Sequence, residues 1–461
     1  MYDKASVMRS QHRIRSLAIL FVVGLLLLPI GVSAGQAKNI ILMIGDGMGP
    51  SQFGAAWLYS NRVLGKELRM VEVMRSGRTA YLVNDTADTM VTESAAAAGQ
   101  IATGKKMTAR ALSMEADGKT PVKTILEIAK DKGMATGLVT TSGITDATPA
   151  AFAAHVPHRS DEASVADQEL RAGVDVLMGG RKQFFLPEIS AGKRQDNRNL
   201  LDEARSAGYA VVDSAAELHR VEGGRILGLF NMGNMAYEMD RDSTSEPSLA
   251  EMTGKTLQVL SQNPKGFFAM IEGGRIDHAA HRNDAAATIR DTLAFDEAVG
   301  VVLEFQRTHP DTLLMVTADH ETGGMAIIGN SKESKDYIGI DLAAIQRARA
   351  SLEVVAGALG KTPTSEKVRE VVKSYLAIEI SDDEARTVIS DPIRTLDPYN
   401  FSYPMMHSLA FVLRPYLRVG WGTATHTASP LLAFGSGPGS EDLVGFRHNT
   451  ELFRIMKAAL E

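Results

Sequence analysis

Residues 37–50 read AKNIILMIGDGMGP, an apolar strand that stops abruptly at Gly45-Asp46-Gly47. An apolar run without polar alternation is what a strand buried on both faces presents. Downstream, runs of the same kind alternate with helical stretches. TPVKTILEIAKDKG (120–133) has the periodicity of an amphipathic helix ending at Gly133, and MATGLVTTSG (134–143) is the strand after it. GVDVLMGG (173–180), LLDEARSAG (200–208) and YAVVD (209–213) continue the alternation. So do SLAEMTGKTLQVLSQ (248–262), GFFAMIEGG (266–274), IRDTLAFDEAVGVVLEFQRTH (289–309) and DTLLMVTADH (311–320). Strands separated by helices predict an α/β fold: a doubly wound, mostly parallel central sheet flanked by helices.

From about 330 to 417 the rhythm changes. SEKVREVVKSYLAIEISDDEARTVIS (365–390) is charged and helical, and DPIRTLDPYNFSYPMMHS (391–408) reads as irregular. This segment is expected to be a helical insertion over the sheet, which resumes at SPLLAFGSG (429–437) before a closing helix. Lys4, Arg9, Arg13 and Arg15 precede LAILFVVGLLLLPIGVSA (17–34), which ends in a small-residue cleavage site at Val32-Ser33-Ala34. Residues 1–34 therefore read as a signal peptide and 35–461 as the mature domain, exported to the periplasm or secreted. The apolar run is shorter than the ~20 residues a membrane span needs, so no stable span is expected after cleavage; the alternative is a retained anchor.

The 461-residue chain carries a net charge of −6 and no cysteine. Disulfides, thiolate metal ligands and thiol nucleophiles are thereby excluded, and no basic patch points to nucleic acid. Any metal must be held by His, Asp, Glu or hydroxyl groups.

The acids gather where apolar strands stop: Asp46, Asp146, Glu272, and Asp319 with His320. In an open parallel sheet that is where ligands bind. In EGGRIDHAAH (272–281), Asp277 and His281 are four residues apart and share a helix face, as two ligands of one cation or as an ion pair; His278 points elsewhere. Joint ligation by the adjacent Asp319 and His320 needs an irregular turn, which Gly323 and Gly324 permit. His426 stands in the loop WGTATHTASP (421–430). Asp146, Thr148 and Glu272 suit an oxygen-only Mg²⁺-type site, against the alternative that Asp146 merely caps a turn. Arg159 offers a planar fork for a tetrahedral anion. In VTESAAAAGQIATGKK (91–106), Ser94 is either an ordinary helix start or a nucleophile set at the positive helix end, where free amides would stabilise an oxyanion. His407 has no evident role, and His155, His158, His219, His309 and His448 read as structural or exposed.

With these segments in order, GDGMG, TESAAAAGQIATG, DATPAAFAAH, EPSLAEMT, GFFAMIEGGRIDHAAH, TADHETGG and TATHTASPL, the sequence resembles the alkaline phosphatase family, in particular its bacterial exported members. The resemblance spans about Asn39 to Met456. It implies two zinc ions and one magnesium. One zinc would take Asp277, His281 and His426, and the other Asp46, Asp319, His320 and the Ser94 oxygen. The magnesium would take Asp46, Asp146, Thr148 and Glu272, with Arg159 clamping phosphate. The implied activity is hydrolysis of small-molecule phosphate monoesters through a phosphoserine, with homodimers common in the family. A phosphodiesterase or sulfatase-type relative and an inactive exported phosphate- or metal-binding protein are the alternatives. Two positions depart from the best-known members. Glu93 replaces an Asp that helps orient the arginine, and His278 occupies a variable position beside the metals.

Overall fold

The computed structural model describes residues 36–329, 339–390 and 403–461. The proposed signal peptide and part of the 330–417 segment lie outside these residues. The strands in chain order are β1 (Asn39–Ile44), β2 (Arg78–Val83), β3 (Ala135–Gly143), β4 (Val176–Gly180), β5 (Tyr209–Val212), β6 (Arg225–Leu229) and β7 (Phe267–Glu272). Then come β8 (Thr312–Thr317), β9 (Glu321–Thr322), β10 (Met325–Ile327), β11 (Val419–Trp421), β12 (His426–Thr427), β13 (Leu431–Ser436) and β14 (Gly445–His448). Ten of them form one sheet in the order β14-β2-β13-β8-β1-β7-β3-β4-β6-β5. All its pairings are parallel except those of β13 with β2 and β8. The mostly parallel α/β fold expected from the alternation is therefore the fold observed.

Every residue of β1, β7 and β8 is buried, so both faces of the sheet's centre are covered. This is why these runs are apolar at consecutive positions. Local chemistry sets the helix ends. The 120–133 stretch becomes a helix only at Ile125–Asp131, because Thr124 and Glu127 form a capping box and Pro121 bridges back to Met114. Ser248 and Glu251 start the helix Leu249–Leu260 in the same way.

The described part of the 330–417 segment is helical: Leu342–Arg347, Leu352–Leu359, Ser365–Leu376, Asp382–Ser390 and Pro404–Leu417. It has its own apolar cluster, including Val355, Leu359, Val368, Val372, Leu409 and Leu413. One expectation is corrected here. Residues 404–408, read as irregular, open the last of these helices, with proline at its first position, where the missing N–H costs nothing.

Candidate active site

The register of the sheet's centre brings the polar strand ends level. Ile44 pairs with both Glu272 and Thr317, and Glu272 also pairs with Thr140. The chain thus leaves β8, β1, β7 and β3 at one end of the strands, where Glu272 closes β7 and Asp46, Asp146, Asp319 and His320 follow their strands. Asp46 sits in a tight turn: Gly47 has φ of 66°, and a Cβ there would lie 2.8 Å from the Thr322 hydroxyl and 2.9 Å from the Asp277 Cα. The Gly47 amide donates to Asp319 Oδ1 at 3.1 Å.

Asp277 and His281 share a face of the short helix Arg275–His281, with His281 Nε2 3.3 Å from Asp277 Oδ2. His426 reaches them because β12 pairs antiparallel with β9, setting His426 opposite Thr322. His281 Nδ1 donates to the Ala424 carbonyl at 2.6 Å, and His426 Nδ1 to that of Thr92 at 3.0 Å. With both Nδ1 atoms protonated, the two Nε2 lone pairs face each other at 3.1 Å beside Asp277. Only a cation or an added proton satisfies such a donor set.

His320 is the centre of a second group. Its Nε2 lies 3.1 Å from Ser94 Oγ, 3.3 Å from Asp319 Oδ2 and 3.4 Å from Asp46 Oδ1. Thr322 donates its hydroxyl to Asp277 Oδ1 at 2.6 Å and faces His320 Nδ1 at 3.2 Å. It therefore accepts the Nδ1 proton and leaves the His320 Nε2 lone pair toward Ser94. Asp277 lies within reach of both groups: the potential ligand atoms of Asp46, Asp277 and His320 fall within 4.8 Å of one another, as do those of Asp277, His281 and His426.

The electrostatics demand positive charge. Burial and the neighbouring Asp319, Asp277 and Glu272 push Asp46 well above the usual carboxylate range. Burial with the Asp146 and Asp319 charges raises Glu272 to about 8, and burial with Asp277 raises Asp319 to about 6. Burial lowers His320 to about 4 and His426 to about 3, keeping both imidazoles neutral. Asp46 Oδ1, Asp319 Oδ2, Thr148 Oγ1 and both Glu272 oxygens are buried without a hydrogen-bond partner among the described residues. Orphaned buried oxygens are costly unless a cation takes them, so the residues fit metal ions.

Ser94 is the first residue of the helix Ser94–Thr103, and is buried. Of the amides expected to be free at this helix start, those of Ala95 and Ala96 are taken. Glu93, the N-cap, accepts from Ala96 N at 2.8 Å and Ala95 N at 3.0 Å, and its carbonyl accepts from Ala97 N at 2.9 Å. Its longer side chain also takes Arg110 N and Arg159 Nη1, both at 2.8 Å. Burial opposes ionisation of Glu93, but the Arg159 charge and these amides outweigh it and hold the carboxyl down at about 2.

Arg159 Nη2 donates to Asp146 Oδ1 at 2.7 Å. Asp146 is also the N-cap expected as the alternative, accepting from Ala147 N at 2.8 Å. The sequence reading missed Arg181, whose Nη2 lies 2.8 Å from Asp146 Oδ2 and whose Nη1 donates to Glu162 at 2.7 Å. Arg181 directly follows β4, with φ of 61°. The strand-end rule applied to the acids would have found it had it been extended to cations. His278 lies with Nε2 3.8 Å from Asp146 Oδ2 and Nδ1 3.1 Å from Arg275 Nη1, and burial and Arg275 lower it to about 3.

The alkaline phosphatase family model matches residues 37–461. The chain is 32% identical over 434 residues to alkaline phosphatase 4 of Bacillus subtilis, covering 92% of this chain and 89% of that protein. It is 35% identical over 348 residues to the alkaline phosphatase of Escherichia coli, covering 65% of this chain and 74% of that one. The crystal structure of Thermus thermophilus alkaline phosphatase superposes with a TM-score of 0.84 at 32% identity, covering 94% of this chain and 95% of that one. A buried cluster of acids and imidazoles beside one serine, at the strand ends of this sheet, accords with what these relatives show: the chain belongs to the alkaline phosphatase family and is a metal-dependent phosphatase.

Proposed function

We propose that the protein hydrolyses small-molecule phosphate monoesters of broad range through a covalent phosphoserine on Ser94, with two zinc ions and one magnesium. The observation that carries this is the Ser94 hydroxyl, buried and 3.1 Å from His320 Nε2 amid unpartnered acids. Asp277, His281 and His426 would hold one zinc, and Asp46, Asp319 and His320 the other, beside Ser94. Asp46, Thr148 and Glu272 would hold magnesium; Asp146, expected among its ligands, has its two oxygens on Arg159 and Arg181 and stands beside them. When bound, these ions supply charge that lowers the Ser94 hydroxyl pKa and offsets charge on the phosphoryl and leaving oxygens.

Ser94 Oγ attacks phosphorus in line, forming the Oγ–P bond as the ester P–O bond breaks; its proton leaves to solvent and the departing alcohol gains one. Water then attacks the phosphoserine, restoring the serine hydroxyl and releasing inorganic phosphate. Arg159, oriented by Glu93 and Asp146, binds the non-bridging oxygens. Export to the periplasm or medium and assembly as a homodimer complete this reading.

The test is to trap the intermediate. Labelled monoester, quenched in acid, is expected to leave phosphate on the unsubstituted protein and none on Ser94→Ala. Label on Ser94→Ala overturns the assignment. Faster turnover of an aryl phosphodiester or sulfate than of the monoester would reassign the substrate class.

A further inference from the structure

We propose that His407 is a positioning residue that sets how tightly the Asp277–His281–His426 group retains its ion, by anchoring the end of the helix that carries two of those ligands. The inference rests on the metal assignment above.

The helix Arg275–His281 spans only seven residues, so its last four carbonyls, more than half, have no partner within it. The following chain satisfies some: Arg282 N and Asp284 N donate to the Ala279 carbonyl, and Asn283 N to that of Ala280. Arg282 Nη1 takes the His278 carbonyl at 2.8 Å. The His281 carbonyl is met by His407 Nε2 at 2.8 Å. Its acceptor is a carbonyl, so that ring nitrogen carries the proton. His407 lies on the helix Pro404–Leu417, remote in sequence, and is 2% exposed.

His281 is thereby held at two points. Its ring is oriented by the Ala424 carbonyl through Nδ1, and its backbone is held by His407. The same helical segment grips the ligand helix elsewhere. Glu353 lies 3.5 Å from Arg275 Nη2 and 3.1 Å from Arg282 Nε, at either end of that helix. Tyr403 stacks on the Arg282 guanidinium at 4.3 Å. A seven-residue helix has little stability of its own. The position of its last residue is set by these outside contacts, and metal sites lose affinity when supporting groups around the ligands loosen.

Zinc retention is measured on the full chain by competition with a chromophoric chelator. His407→Ala and the bulkier His407→Leu both remove the donor; His407→Gln keeps an Nε2 amide able to reach the same carbonyl. The expectation is that Ala and Leu each weaken one zinc equivalent by roughly tenfold, as losses around metal ligands commonly do. The remaining ions should be unaffected, and Gln should recover most of the loss. Unchanged zinc release in either folded donor-less variant overturns the proposal. A uniform loosening of all ions that Gln does not repair also overturns it, since that reports general destabilisation. If the unsubstituted protein retains no zinc, the metal assignment itself fails, a result distinct from failure of His407 alone.

Discussion

Glu93 Oε2 accepts from Arg159 Nη1 at 2.8 Å while its other oxygen accepts from Ala96 N at 2.8 Å, so one carboxylate links the start of the Ser94 helix to the arginine. Glu93→Gln keeps the length but removes the charge and replaces one acceptor with a donor. A charge-assisted hydrogen bond contributes about 1.5–3 kcal/mol. The inhibition constant for phosphate should therefore rise by roughly tenfold or more. The weakened N-cap should lower stability by about 1 kcal/mol. Phosphate inhibition together with a denaturant titration checks both effects, and an unchanged inhibition constant would separate Glu93 from the anion site.

Arg181 bridges Asp146 and Glu162, and its removal leaves two largely buried carboxylates short of a cation. Breaking a buried pair from one side typically costs about 3–5 kcal/mol. Arg181→Ala should lower the unfolding midpoint accordingly. Arg181→Lys should restore only part, because a single ammonium cannot serve both acids with a planar fork. Equal midpoints for Ala and unsubstituted protein would contradict the pairing.

Stripping metal should destabilise the fold as well as stop turnover, since the unpartnered oxygens of Asp46, Asp319, Glu272 and Thr148 lose the charge that suits them. An ion present at a thousand times its Kd stabilises by about 4 kcal/mol. A chelated sample should melt several degrees lower and recover with zinc and magnesium. Coincident melting curves would argue that no ion binds there.

Asp296 gives a pH signature away from the site. It accepts from Arg69 N at 2.9 Å and Met70 N at 2.8 Å, and burial raises its carboxyl from 3.8 to about 6. A raised folded-state pKa means the folded chain binds the proton more tightly than the unfolded one. Its contribution is therefore full below pH 3.8 and is lost as pH rises through about 6. Asp296→Asn should flatten stability across that window, read from denaturant midpoints at a series of pH values. An unaltered slope would assign the dependence to other groups.

Much of the site was legible because burial on both faces leaves a plain mark: β1, β7 and β8 are built on runs of consecutive apolar residues, and a polar residue that closes or follows such a run stands at the strand's end. Asp46, Glu272, Asp319 and His320 were readable on that ground, and Asp277 with His281 from helical spacing. Arg181, directly after β4, carries the same strand-end mark, but its pairing with Asp146 and Glu162 was not legible, because packing between segments decides which carboxylates face it. Nor was the loss of the Ala95 and Ala96 amides to Glu93, which turns on where one flexible carboxylate settles.

The sequence alone determined the alternation of strand and helix, the absence of sulfur ligands, and which residue types end up at the strand ends. These follow from periodicity and composition along the chain. Only the tertiary structure decided which donors face one another. His426 meets His281 because two-residue β12 pairs with β9, Arg159 stands between Glu93 and Asp146, and His407 closes the end of the ligand helix. Contacts between segments so far apart depend on register and on the angle at which each element leaves the sheet, and neither is written in the local order of residues.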